Sequence, residues 1–85
     1  MESRVDFSEF TQLLQTLENS DILIRLRLTA EAWMDYAAVI LLSEQAMLIQ
    51  RDDQRTLINL RHVVEFEIDK EVGEYSADCV YVIGL

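Results

Sequence analysis

Arg61 and His62 form the one basic corner in a stretch otherwise dominated by acids. An arginine offers a planar fork of N–H donors that matches a phosphate or the edge of a base. A histidine offers a ring that stacks or donates. The pair follows a short apolar run, Thr56–Leu60, and precedes a strictly alternating one. It therefore stands at a corner between two strands. A structural reading competes with the binding one: Arg61 pairs with Glu65 or Glu67, and His62 merely ends a strand.

Other residues with chemical potential are isolated. His62 is the only histidine and Cys79 the only thiol, and nothing in the sequence brings them together. Cys79 lies in an apolar run, where an inert thiol is expected. Asp52-Asp53 are two adjacent carboxylates in a turn with no partner motif, which suits a solvated turn better than a metal site. Arg25 and Arg27 read as a solvated strand face rather than a basic stripe. Trp33, Tyr36, Tyr75 and Tyr81 read as core or subunit contacts rather than as a platform for bases. The chain is thus expected to be no enzyme and to use no cofactor or metal.

Charge narrows the partners. The net charge is −9, and residues 65–78 hold six acids against Lys70. Sequence-independent binding to duplex DNA depends on neutralising many phosphates, so it is disfavoured. A single strand held by a small, locally basic site remains open. One cysteine excludes an intrachain disulfide framework and fits a reducing, cytoplasmic setting. The acidic, polar start MESRVDFSEF is not a signal peptide, and the longest apolar run, Ala37–Leu42, is too short to cross a bilayer. No membrane partner is expected.

The elements that would position the corner follow from periodicity. Phe7, Phe10, Leu13, Leu14 and Leu17 recur at helical spacing, with Asp6 and Glu9 forming a capping-box pattern and Asn19-Ser20 as the stop. A helix is expected over 7–19. Ile22, Ile24, Leu26 and Leu28 alternate with Leu23, Arg25, Arg27 and Thr29, as a half-buried strand requires. Residues 30–50 contain helix formers and no breaker, and propensity alone allows a second helix capped by Thr29. The reading adopted is a strand over Trp33–Leu42, a polar turn Ser43-Glu44-Gln45, and a strand over Ala46–Arg51. Asp52-Asp53-Gln54 then turns, with Arg51 and Arg55 facing one another across the hairpin. After the Arg61-His62 corner, Val64, Phe66 and Ile68 point one way, and Glu65, Glu67 and Asp69 the other. Gly73 belongs to a loop, and Cys79–Ile83 is a last strand.

This order resembles the Sm-like fold, and the local sequence is similar to its bacterial Hfq branch. The family's acidic-residue-then-glutamine turn is matched by Glu44-Gln45, and its basic-histidine corner by Arg61-His62 followed by Val63-Val64. Ala38 stands near the family's strand-bending glycine, and Ala46 where its stacking aromatic usually follows. The resemblance covers roughly residues 7–69 and implies one mainly β domain over 1–85. That domain is a small, strongly bent five-stranded barrel over 22–69, with an N-terminal helix and an additional C-terminal strand in 70–85. It further implies a homo-oligomeric ring of about five to seven copies, in which the fourth barrel strand of one copy pairs with the fifth of the next. The implied ligand is single-stranded RNA, or DNA, contacted by Gln45, Arg61 and His62. An acidic protein-interaction or assembly module without nucleic acid is the alternative.

Overall fold

The computed structural model describes residues 2–84. Its first element is a strand, β1 (Glu2–Val5), followed by helix α1 (Phe7–Leu17). Asp6 caps the helix reciprocally: its carboxylate accepts the Glu9 N–H at 2.7 Å, and the Glu9 carboxylate accepts the Asp6 N–H at 3.0 Å. Two orphan donors of the first turn are thereby satisfied. Phe10, Leu13, Leu14 and Leu17 are the buried positions, so the apolar stripe read from the sequence is the face that meets the sheet. The helix ends at Leu17, two residues before the expected stop. Asn19 adopts a left-handed φ of 58° and gives its N–H to the Val39 carbonyl at 2.8 Å. The Glu18 carboxylate accepts the Leu42 N–H at 2.9 Å, which ties the helix end to the sheet.

Six further strands follow: β2 (Leu23–Leu28), β3 (Ala37–Leu42), β4 (Ala46–Arg51), β5 (Gln54–Asn59), β6 (Val63–Ile68) and β7 (Val80–Ile83). A single 3-10 turn, Leu60–His62, links β5 to β6. All seven strands form one sheet in the order β1-β7-β6-β2-β3-β4-β5, antiparallel except for the parallel β1–β7 pair.

The short β5–β6 link dictates curvature. Three strands separate β5 from β6 in the sheet order. In a flat sheet that gap is about 19 Å at the usual strand spacing. From Asn59 to Val63 the chain has only four Cα steps, about 15 Å even when straight. A 3-10 turn shortens that reach further. The sheet must therefore curl until β5 and β6 approach, and irregularities in register at Arg27/Leu28 and Val39/Leu41 supply bends.

The architecture corrects the sequence reading in several places. The molecule is mainly β with an N-terminal helix, but the sheet is an open one of seven strands, not a closed five-stranded barrel. β7 lies on the edge of β6, matching Phe66 with Tyr81 and Glu65 with Val82, and β1 lies on β7. The strand expected over Trp33–Leu42 begins only at Ala37: the chain reverses at Ala30, with a left-handed φ of 61°, and Trp33 makes a single bridge with Arg27 before the loop reaches β3. The hairpin turn is two residues, Asp52-Asp53. Arg51 therefore faces Gln54, and Arg55 faces Gln50, rather than the two arginines facing one another. The last strand starts at Val80. Gly73, with φ of 55°, sits in the tight loop where Val72 and Tyr75 exchange backbone bonds at 2.8 and 3.0 Å.

A line of aromatic rings runs through the core. Phe7 meets Phe10 at 6.3 Å, Phe10 meets Phe66 at 5.1 Å, Phe66 stacks on Tyr81 at 5.2 Å, and Tyr75 meets Tyr81 edge-on at 5.2 Å. Burial raises the phenol pKa of both Tyr75 and Tyr81 above the ordinary value. The folded state thus holds those protons more tightly than the unfolded chain does. Stability from this source is complete below about pH 10 and is lost as pH climbs through the raised folded values. A melting temperature followed from about pH 8 to 12 is expected to stay level and then fall, with a smaller fall in Tyr75→Phe.

Candidate functional site

The 3-10 turn at Leu60–His62 brings the corner to one end of the sheet. The Asn59 side chain starts the turn by accepting the Arg61 N–H at 2.9 Å. Leu60 is fully buried and donates its N–H to the Gln45 carbonyl at 2.9 Å. That bond pins the β5–β6 corner against the β3–β4 turn. Glu44, Gln45, Asn59 and Arg61 consequently line one recess of about 370 Å³. The fold does bring Gln45 and Arg61 together.

His62 is not part of that recess. Its side chain is exposed, and its carbonyl accepts the Thr29 N–H at 2.9 Å and the Thr29 hydroxyl at 3.3 Å. Its main chain therefore serves as a structural tie between the corner and the end of β2.

Arg61 has a partner that periodicity could not name. Its guanidinium carbon lies 3.9 Å from the centre of the Phe7 ring, a close cation–π contact. The contact engages no N–H of Arg61 in an ion pair with an acid, so the guanidinium keeps donors for an anion or a base. The structural reading that paired Arg61 with Glu65 or Glu67 does not hold. Glu65 is taken by Arg27, and Glu67 by Arg25 at 2.8 Å. The recess also contains Glu44, whose carboxylate opposes a second anion near Arg61.

The acids of β6 have a structural use. Glu65 and Glu67 face Arg27 and Arg25 across the β2–β6 pair, and Asp69 accepts the Leu23 N–H at 2.8 Å at the end of the same ladder. The Glu67 hydrogen bond is the main cause that raises the Arg25 pKa. Arg25 also lies over Trp33 at 4.7 Å and near Tyr36 at 5.6 Å, and the Tyr36 hydroxyl donates to Glu67 at 3.4 Å. Trp33 and Tyr36 are half-buried around this ion pair, so they are neither core residues nor a free stacking platform. The Arg25 Nε is buried without a hydrogen-bond partner.

Cys79 is buried, and Asp52-Asp53 forms an exposed turn. Among the described residues, no group of three or more His, Cys, Asp or Glu is placed to hold a metal ion, and no helix is long and apolar enough to cross a membrane. No protein-family model, curated protein or solved structure matches this chain.

Proposed function

We propose that this is an Sm-like protein that binds single-stranded RNA, with single-stranded DNA as the weaker ligand, at the recess of Gln45 and Arg61. The observation that carries the reading is the Leu60–Gln45 backbone bond, which joins the two polar corners into one donor-bearing recess. A helix followed by a strongly bent run of five strands, β2 to β6, supports the family. Arg61, held against the Phe7 ring, supplies N–H donors for a phosphate or base, and Gln45 supplies a donor and an acceptor for a base edge. In this reading His62, exposed one residue on, contacts the strand outside the recess. An RNA ligand is favoured because its 2′-hydroxyl gives Gln45 a further partner.

The ring of five to seven copies implied by the resemblance joins β5 to the outer edge of β6. Here β6 carries β7 on that edge, so such a ring forms only where β7 comes away. Several corners gripping one strand would then add avidity.

The assembly-module reading is favoured by a different observation. Four cations are already held by acids: Arg25 by Glu67, Arg27 by Glu65, Arg51 by Asp35 and Lys70 by Asp21. Ala46, where the family stacks a base, adds to it. The Arg61→Ala variant separates the readings. Losing a charge-assisted contact should weaken oligonucleotide binding by about 1–3 kcal/mol per site. Arg51→Ala removes the same charge at the opposite end of β4 and should change little. Affinities at two salt concentrations, with the assembly mass checked in parallel, decide it. Equal binding by Arg61→Ala and wild type would remove this site.

A further inference from the structure

We infer that two copies of this chain join edge to edge through β5, antiparallel about a two-fold axis at Leu57. The inference does not depend on the nucleic-acid reading, although the ends of this edge lie beside the Arg61-His62 corner.

Three leucines form a row on the solvent side of the sheet. Leu41 is matched with Leu48, and Leu48 with Leu57, across β3, β4 and β5. Leu57 is 72 % exposed and Leu41 60 %, and they are the exposed large hydrophobic residues of the described chain. The row ends at β5, which pairs only with β4 and is one of the two outer strands of the sheet. An edge strand with unpaired backbone groups and an exposed leucine at its centre is a template for another strand.

The backbone phase of β5 is readable. Leu60 donates to Gln45, so 45/60 is a hydrogen-bonded pair of the β4–β5 ladder. Such pairs alternate along antiparallel strands. Gln54, Thr56 and Ile58 therefore bond into β4, while Arg55, Leu57 and Asn59 turn their N–H and C=O groups to the free edge. A second β5 placed antiparallel with Leu57 opposite Leu57 satisfies that edge from 55 to 59. Side-chain faces match in this register: Leu57 meets Leu57 on the outer face, and Thr56 meets Ile58 on the inner one. The leucine row then continues unbroken from one copy into the other.

Charge selects the same arrangement. Residues 54–60 carry no acid, whereas the whole chain carries −9, so β5 is an edge by which two copies approach with little repulsion. Centring on Leu57 sets Arg55 opposite the second copy's Asn59, while centring on Arg55 would oppose two arginines. The same register carries each Asp52-Asp53 turn to the end of the other copy's β5, where Arg61 and His62 follow. Acid meets base at both ends of the contact. The β5–β6 ring contact uses the same edge and is excluded while the two-fold pair is formed.

The test is sedimentation of the wild-type chain with two variants at Leu57. Wild type should sediment at twice its 9.9 kDa mass at up to about 100 μM. Leu57→Lys, which sets two ammonium groups opposite each other, should return it to monomer with an unchanged circular dichroism spectrum. Leu57→Cys provides a second route. Hydrogen-bonded antiparallel partners have Cα atoms about 5.5 Å apart, inside the disulfide range. Mild oxidation should link Leu57→Cys into a covalent dimer much faster than Arg55→Cys, whose equivalents lie farther apart. A monomeric wild type, a ring-sized mass, or equal cross-linking of the two cysteine variants would overturn the inference. Loss of oligonucleotide binding by itself would not.

Discussion

Phe66→Ala is expected to lower the free energy of unfolding by about 3–5 kcal/mol, enough to leave the chain largely unfolded near body temperature. Phe66 is fully buried and contacts Phe10 of the helix on one side and Tyr81 of β7 on the other. Its removal opens a cavity where α1, β6 and β7 meet, and the remaining rings cannot all collapse into it. The small size of the domain sharpens the effect, because a chain this short has little stability to spare. Chemical denaturation of both proteins gives the difference. Loss of β7 packing should show first as a change in tyrosine fluorescence. A Phe66→Leu variant, which keeps most of the volume, should recover a large part of the loss.

Leu14→Ala should destabilise by about 2–5 kcal/mol, while Gln15→Ala beside it should remain within about 0.5 kcal/mol of wild type. Leu14 is fully buried on the inner face of α1, and Gln15 is exposed. The two residues differ by one position and by about 100° around the helix axis. The contrast measures how much of the stability depends on seating the helix against the sheet. Urea titrations followed by circular dichroism supply both numbers. Equal effects at the two positions would mean that the helix is not docked as described.

The parts of the fold that were legible in the sequence are those stabilised by near neighbours. The capping box at Asp6 and Glu9 and the stripe from Phe10 to Leu17 act within a few residues of one another, so spacing alone revealed α1. The alternations in β2 and β6 were plain because each strand has one buried face and one face of paired charges. Residues 37–51 were harder. Their alanines, leucines and methionine suit a helix, and pairing with β2 and β5 decides for strands instead. β1 was missed altogether. It is four residues long, and its partner, β7, comes from the far end of the chain. The same long-range pairing opened the expected barrel into a seven-stranded sheet, since β7 occupies the edge of β6.

The candidate site divides in the same way. Two polar corners at strand ends were visible, and the fold joins them through Leu60 and Gln45. That His62 stays out of the recess follows from the 3-10 turn at Leu60–His62, which spacing does not encode. The Phe7 ring against Arg61 belongs to α1, near the other end of the sequence, and carries no local signal. The fate of Glu65 and Glu67 was legible only in part. Their common face was plain, but their partners on β2 follow from register.

The most direct measurement is a titration of the wild-type chain into a labelled single-stranded RNA, beside a DNA strand of the same sequence, at low and at moderate salt. The proposed function predicts saturable binding to RNA at low salt, weaker binding to DNA, and affinity for both that falls as salt rises, because phosphate contacts release counterions. Failure to bind either strand at low salt by a folded chain would contradict it and leave an acidic assembly module as the reading of this protein.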